Sequence, residues 1–235
     1  MAITEISSSL LKQFSLINIC GKGGTGKTTY ALQLLSHYLP QPLFDQKLEP
    51  RFVWIQASEK FPKKRLVEMY REEKSILQYL QTHILLYPRY LIANYDELLL
   101  RLSSLFENSD TLPFIPAAIV IDNISHYLRL EISNYKEVSI ITTLLDDFFD
   151  TIIVPLCFYC GRRGISLILI HEVTYDPKQD KMVMFNHNLF SNLKSLNIKL
   201  EKSPITNRQV ISFHYKGNRK SFRYQLQRKG IKIYT

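Results

Sequence analysis

The chain has 235 residues, 46% of them hydrophobic and 22% charged, with a formal net charge of +9. That length buries a large core, and a single α/β domain is the expectation. No run of about 18 apolar residues occurs, and Met1 to Ser9 has neither a basic start nor an apolar stretch. This excludes a membrane-spanning helix and a secretory leader, and predicts a soluble, intracellular protein with no membrane partner.

In chain order, strands alternate with helices. Leu16 to Cys20 is a short apolar strand, followed by a glycine-rich loop and a helix with Ala31, Leu34, Leu35 and Tyr38 at helical spacing. Pro40 and Pro42 stop that helix. Phe52 to Ala57 is the next apolar run, and Phe61-Pro62 opens a charged helix through about Lys74. Ile84 to Tyr87 is a third strand, followed by a Leu-rich helix from about Asp96 to Phe106. Ala117 to Ile121 is a fourth strand ending in Asp122, and a long helix from about Lys136 to Tyr159 precedes a strand from Ser166 to Ile170.

Cys157 and Cys160 fall at the end of that long helix. A zinc ribbon needs two such pairs, and a thioredoxin-type pair precedes a helix start, so these are read as buried thiols.

Near-continuous apolar runs separated by helices imply a mainly parallel sheet covered on both faces. After Leu196 the pattern changes to strict alternation, in Leu196 to Leu200, Val210 to Tyr215 and Phe222 to Leu226. Antiparallel strands follow, with Gly217-Asn218 as a turn and Lys199, Arg223 and Arg228 on the solvated side. The charge is concentrated in the same segment. Eleven of the 30 Lys and Arg but one of the 21 Asp and Glu lie between Lys194 and Thr235, so this segment carries +10 and the first 193 residues −1. Such a face suits nucleic-acid phosphates or an acidic partner.

The loop after the first strand reads Gly21-Lys22-Gly23-Gly24-Thr25-Gly26-Lys27-Thr28-Thr29, a Gly-x4-Gly-Lys-Thr phosphate loop. It follows a strand and opens a helix, where free backbone N–H groups and the helix dipole favour an anion. Glycines let the backbone wrap the phosphates of ATP, Lys27 reaches the terminal ones, and the Thr28 hydroxyl ligates Mg2+. A carboxylate must hold the metal from across the sheet, and Asp122 stands at a strand's C-terminal end, where ligands of open α/β sheets gather. The chain thus divides into an extension over 1–15, a nucleotide-binding core over 16–193 and a basic antiparallel β extension over 194–235.

Arg51-Phe52-Val53-Trp54-Ile55-Gln56-Ala57-Ser58-Glu59-Lys60-Phe61-Pro62-Lys63-Lys64-Arg65 resembles the second conserved block of RecA-type recombinases, in which a strand ends in Thr-Glu followed by Phe, Pro and Arg. In the archaeal RadA and RadB proteins and the eukaryotic paralogues that glutamate positions or deprotonates the attacking water. The resemblance implies this role for Glu59. The Asp122 strand, the long helix and Ile165 to Val173 run in the family's order, but the usual Asn-Gln that senses the γ-phosphate is His171-Glu172. A carboxylate there repels the γ-phosphate unless protonated or paired, so hydrolysis is expected to be slow or differently coupled. Thr174 to His187 corresponds to the family's mobile DNA-binding loop.

Before Leu16 there is no room for a helix-hairpin-helix domain, and no polymerisation segment is recognisable. The resemblance is therefore to core-only, RadB-like paralogues. It implies a weak, DNA-dependent ATPase that assists recombination and repair by binding DNA, single- or double-stranded, or a RadA-type recombinase or second paralogue, as a hetero-oligomer. It also implies an archaeal cytoplasm, or a nucleus if the source is eukaryotic. Lys216, Arg219, Lys220, Arg223, Arg228 and Lys229 are the expected DNA contacts. Lys22 to Thr29 also fits the deviant motif of the ParA and MinD ATPases, which would make Lys22 catalytic across a dimer, but the second strand lacks their Asp-x-Asp-Pro. A KaiC-like regulator or a small-molecule kinase are further alternatives; for a kinase lid Arg162-Arg163 is the one candidate.

Overall fold

The computed structural model describes residues 11, 13–39, 51–108, 111–203 and 208–234. The segment from Met1 to Ser9 and the helix stop at Pro40 and Pro42 lie outside the described residues. In chain order the strands are β1 (Leu16–Gly21), β2 (Phe52–Gln56), β3 (Ile84–Leu86), β4 (Ala118–Asp122), β5 (Ser166–His171), β6 (Val173–Asp176), β7 (Lys181–Met184), β8 (Ser195–Lys202), β9 (Gln209–Tyr215), β10 (Asn218–Gln227) and β11 (Gly230–Tyr234). The helices are α1 (Lys27–Ser36), α2 (Lys63–Met69), α3 (Lys74–His83), α4 (Tyr95–Glu107), α5 (His126–Ile132), α6 (Val138–Phe148), α7 (Val154–Arg163) and α8 (His187–Phe190).

Every residue of β1, β2 and β4 is buried, as near-continuous apolar runs require of strands covered on both faces. Nine strands form one sheet in the order β11-β10-β9-β8-β1-β5-β4-β2-β3. From β3 to β8 every pairing is parallel, and from β8 to β11 every pairing is antiparallel. Side chains alternate between the two faces, so Ile17 and Ile19 pack against α1, α2 and α3, whereas Leu16 and Cys20 join the core under α4 to α7. This is the expected α/β class, a mainly parallel sheet flanked by helices with antiparallel strands at its C-terminal edge.

The alternation after Leu196 has two causes. In β10 it marks one covered and one open face, whereas in β9 the polar Ser212 is buried and shares a hydrogen bond with Ser221 of β10. In β8, which pairs parallel with β1, it marks a buried polar ladder: Asn18 Nδ2 donates to Asn197 Oδ1 at 2.8 Å, and His171 Nε2 donates to Asn18 Oδ1 at 3.0 Å. Buried amides need such partners, and these cross three adjacent strands. Lys199 is accordingly not on a solvated side. Its ammonium donates to the Met182 carbonyl at 2.6 Å and pairs with Glu201 at 2.7 Å.

Three local expectations are revised. The charged helix after Pro62 ends at Met69 rather than near Lys74, because Arg71, Glu72 and Glu73 offer no apolar side chain to continue the buried stripe, and a further helix, not expected, follows over Lys74–His83. The long helix is continuous from Val138 to Arg163 but widens into a π turn over Phe149–Ile153, just before Pro155, which has no N–H for the Thr151 carbonyl. The segment from Thr174 to His187 is largely a hairpin, β6 with β7, rather than an open loop. The cysteine reading holds: Cys160 is buried, Cys157 half-buried, both are free, and burial pushes the Cys157 thiol up to about 12.

Candidate nucleotide site

β1 lies between β5 and β8, the fifth of the nine strands, so its C-terminal end opens at the middle of the sheet. There the chain leaves the sheet at Gly21, where a Cβ would lie 2.4 Å from the Leu200 carbonyl oxygen of β8; only glycine fits. Gly26, at φ +94°, takes the left-handed conformation just before α1 and admits Leu226 of β10, whose Cδ1 would be 3.0 Å from a Cβ. The loop is held from behind as well. The Thr25 hydroxyl donates to the Lys22 carbonyl at 2.8 Å, and the Thr25 carbonyl accepts from the Tyr224 hydroxyl at 2.8 Å.

Lys27 turns back over this loop, donating from Nζ to the carbonyls of Gly21 at 2.9 Å and Lys22 at 3.2 Å. Burial lowers its pKa, against the opposing pull of the Asp122 and Glu172 carboxylates. Thr28 Oγ1 donates to Asp122 Oδ2 at 2.8 Å. Burial pushes the Asp122 carboxyl up to about 6, since the Thr28 hydrogen bond and Lys27 only partly offset lost hydration and the nearby Glu59.

Glu59 is exposed in the turn after β2, and that turn is fixed by main-chain bonds. Ala57 N and Ser58 N both donate to the Asp122 carbonyl, at 2.9 and 3.2 Å, and Asn123 N donates to Ser58 Oγ at 3.2 Å. Glu59 is thereby tied to the strand carrying Asp122. Lys22, Lys27, Thr28, Glu59, Asp122 and Glu172 all line one open cavity of about 730 Å³ at the loop.

Glu172, just past β5, is paired. Arg129 Nη1 of α5 lies 2.7 Å from its Oε2, Asn123 Nδ2 donates to Oε1 at 3.2 Å, and its own N–H donates to Ser125 Oγ at 3.1 Å. The repulsion expected of a carboxylate here is thus offset by a cation from within the chain. Arg129, Asn123 and Ser125 were not anticipated as site residues. Arg129 lies 43 positions from Glu172, and no local pattern couples the two.

The residues present fit a magnesium nucleotide. Among the described residues no group of three or more His, Cys, Asp or Glu forms a metal cage, and magnesium needs none, since it binds through one or two carboxylates plus phosphate oxygens. The Thr28 hydroxyl and the Asp122 carboxylate, in mutual contact, are the donors available.

The six basic residues do not form one cluster. Lys216 lies in the turn between β9 and β10, with Arg219 and Lys220 at the start of β10, and all three are exposed. Arg228 and Lys229 lie in the turn after β10, at the nucleotide end of the sheet, roughly 30 Å away at the rise of a strand. There Arg65 donates to the Gln227 carbonyl at 2.6 Å, the Arg228 carbonyl at 3.3 Å and Thr29 Oγ1 at 3.1 Å, and Lys229 is paired with Glu72. Arg223 is exposed midway along β10, opposite Tyr234.

No family model and no curated protein sequence matches the chain. Among solved structures it is similar to the crystal structure of the RadB recombinase, with a TM-score of 0.64 and 21% identity, covering 92% of this chain and 89% of that one. The fold is therefore that of the RecA/RadA-type recombinases. No comparison supports the ParA-, MinD- or KaiC-like readings or a kinase. No helix among the described residues is long and apolar enough to cross a membrane.

Proposed function

We propose that the chain is an ATP-binding recombinase paralogue that assists recombination and repair by binding DNA, a RadA-type recombinase, or both, and that hydrolyses ATP slowly. The hydrogen bond between Thr28 and Asp122 carries the ATP-binding part of this reading, because it joins the glycine loop to a strand-end carboxylate 94 residues away in a cavity shared with Lys27 and Glu59, and the likeness to the RadB recombinase supports the rest.

In this reading the N–H groups of the glycine loop and of the start of α1 receive the phosphates, and Lys27 exchanges its two carbonyl partners for terminal phosphate oxygens. Thr28 and Asp122 would hold magnesium, which when bound supplies positive charge against the phosphate oxygens. Glu59 accepts a proton from, or orients, the attacking water. Glu172 stands where the recombinases that the chain resembles have an amide, and a carboxylate paired with Arg129 has no N–H to offer the terminal phosphate, which supports slow turnover.

The exposed end of β10, with Lys216, Arg219 and Lys220, is the surface for a nucleic-acid backbone, extended along the strand by Arg223. Arg228 and Lys229 stand at the nucleotide end and play a lesser part, Lys229 being already paired with Glu72. Calorimetric titration with ATP and Mg2+, beside co-purification with a RadA-type recombinase, tests the reading. Absence of any nucleotide affinity would overturn it.

A further inference from the structure

The nucleotide cavity is lined by three carboxylates, Glu59, Asp122 and Glu172, and three strong cations, Lys22, Lys27 and Arg129. A polyphosphate brings several further negative charges, so the cations decide whether it is held. Lys22 and Lys27 belong to the loop; Arg129 does not. It comes from α5, which is anchored by the buried Ile124 and Leu128, with Ile124 N donating to the Ile170 carbonyl at 3.0 Å.

The surroundings of Glu172 fix its carboxylate in place. One segment, residues 123–129, supplies Asn123 to one carboxylate oxygen, Arg129 to the other and Ser125 to the backbone N–H. His126 Nδ1 lies 3.8 Å from Glu172 Oε1. Arg129 also donates to the Val173 carbonyl at 3.2 Å, and its guanidinium lies 5.4 Å from the centre of the Phe185 ring. Its side chain is about two-fifths exposed, at 38%, and Glu172 about one-third, at 34%. The guanidinium therefore keeps donors available to the cavity while Nη1 is engaged by Glu172 and Val173, since it has five N–H groups in all.

We propose that Arg129 is the specificity-determining residue of this site: it neutralises Glu172 and shares its guanidinium with the terminal phosphate, so that the pocket prefers a nucleoside triphosphate to a diphosphate. The proposal rests on the ATP-site reading above. It reassigns the sensing of the terminal phosphate from position 172 to the arginine that position 172 holds. Glu172 is then a positioning residue, and its carboxylate is tolerated only because Arg129 is beside it. A planar, always charged fork suits this exchange between carboxylate and phosphate oxygens better than an ammonium does.

The test measures affinity for a non-hydrolysable ATP analogue and for ADP, with Mg2+, in wild type, Arg129→Ala, Glu172→Gln and the double variant. Arg129→Ala leaves the Glu172 carboxylate without its neutralising cation beside the phosphates, and should weaken the triphosphate about ten- to a hundredfold while changing ADP far less. Glu172→Gln should hold the triphosphate as tightly as wild type or more so, because the freed guanidinium adds its charge to the pocket. In the double variant the removal of the carboxylate should restore at least about a third of the loss on a logarithmic scale. Arg129→Lys, which keeps a charge, should retain part of the preference and serves if the alanine variant does not fold. Equal loss for ATP analogue and ADP, or no rescue in the double variant, overturns the proposal and leaves the ATP site standing. Failure of wild type to bind either nucleotide removes the ATP site and the proposal together.

Discussion

Thr28, in the first turn of α1, and Asp122, at the end of β4, meet hydroxyl to carboxylate at 2.8 Å, with strand β5 interposed between β4 and the β1 strand that leads into α1. The contact requires α1 to begin where it does and β4 to end where it does. It also defines what each loop residue is asked to do. Lys27, whose ammonium among the described residues donates to the carbonyls of its own loop, should be dispensable for folding and needed for phosphate. Lys27→Ala is expected to weaken ATP by about 10- to 150-fold, the range for losing a charged hydrogen bond, with an unchanged melting profile. Equal affinity in wild type and variant would sink the phosphate-loop assignment.

Glu59 is held beside Asp122 by two main-chain bonds to the Asp122 carbonyl, so its side chain can change without moving the turn. Glu59→Gln should keep nucleotide affinity and lower turnover by roughly 10²- to 10⁴-fold, the range for general-base catalysis. Single-turnover kinetics with labelled ATP would measure it. An unchanged rate in the variant would remove Glu59 from the chemistry and make the protein an ATP-gated scaffold.

His171 gives a pH dependence that can be isolated. Complete burial pushes its pKa down to about 3, because the imidazolium would lose its hydration with the Asn18 amide oxygen as hydrogen-bond partner in its place. The unfolded chain takes up this proton near pH 6.5, whereas the folded chain does not until about pH 3. Between those values acid favours the unfolded state, so stability falls as pH drops. From pH 7 to pH 5 the wild type should lose about 2 kcal/mol more than His171→Asn, measured by urea unfolding. Parallel losses in the two proteins would show that folding does not lower the pKa of His171.

The glycine loop and Asp122 stand out in the sequence because each is a local pattern, a Gly-rich turn between strand and helix and a carboxylate at the end of an apolar strand, and the structure brings the two into contact through Thr28. The class of fold is legible for a similar reason, since continuous apolar runs leave few places for the strands. Arg129 is not legible. Its partner lies 43 residues away and the two meet only because α5 folds back over the end of β5. The polar side chains of β8 mislead in the opposite sense, since Asn197 looks like a solvated position and is instead the end of the ladder through Asn18 to His171. Alternation records which side chains are polar, and whether polarity faces water or another amide is a tertiary fact.

The basic strands yield the prediction closest to function. Arg219 and Lys220 sit together at the exposed start of β10, on opposite faces of the strand, near Lys216 and remote from the phosphate loop. If this edge binds a nucleic-acid backbone, affinity should fall steeply with salt and depend little on base sequence, because it rests on phosphate neutralisation and counterion release. Arg219→Ala with Lys220→Ala should weaken DNA binding and reduce the salt slope by up to about two units, at roughly one for each phosphate that is no longer neutralised, with ATP affinity unchanged. Arg228→Ala with Lys229→Ala should do less to DNA, because Lys229 is already paired with Glu72 and that turn is held against Arg65 at the nucleotide end. Fluorescence anisotropy with single- and double-stranded oligonucleotides across a salt series separates the two pairs. An equal effect of both would mean that the backbone runs the full length of β10. No effect of either would assign the basic edge to an acidic protein partner, which co-purification of the two double variants with a RadA-type recombinase would then distinguish from simple solvation.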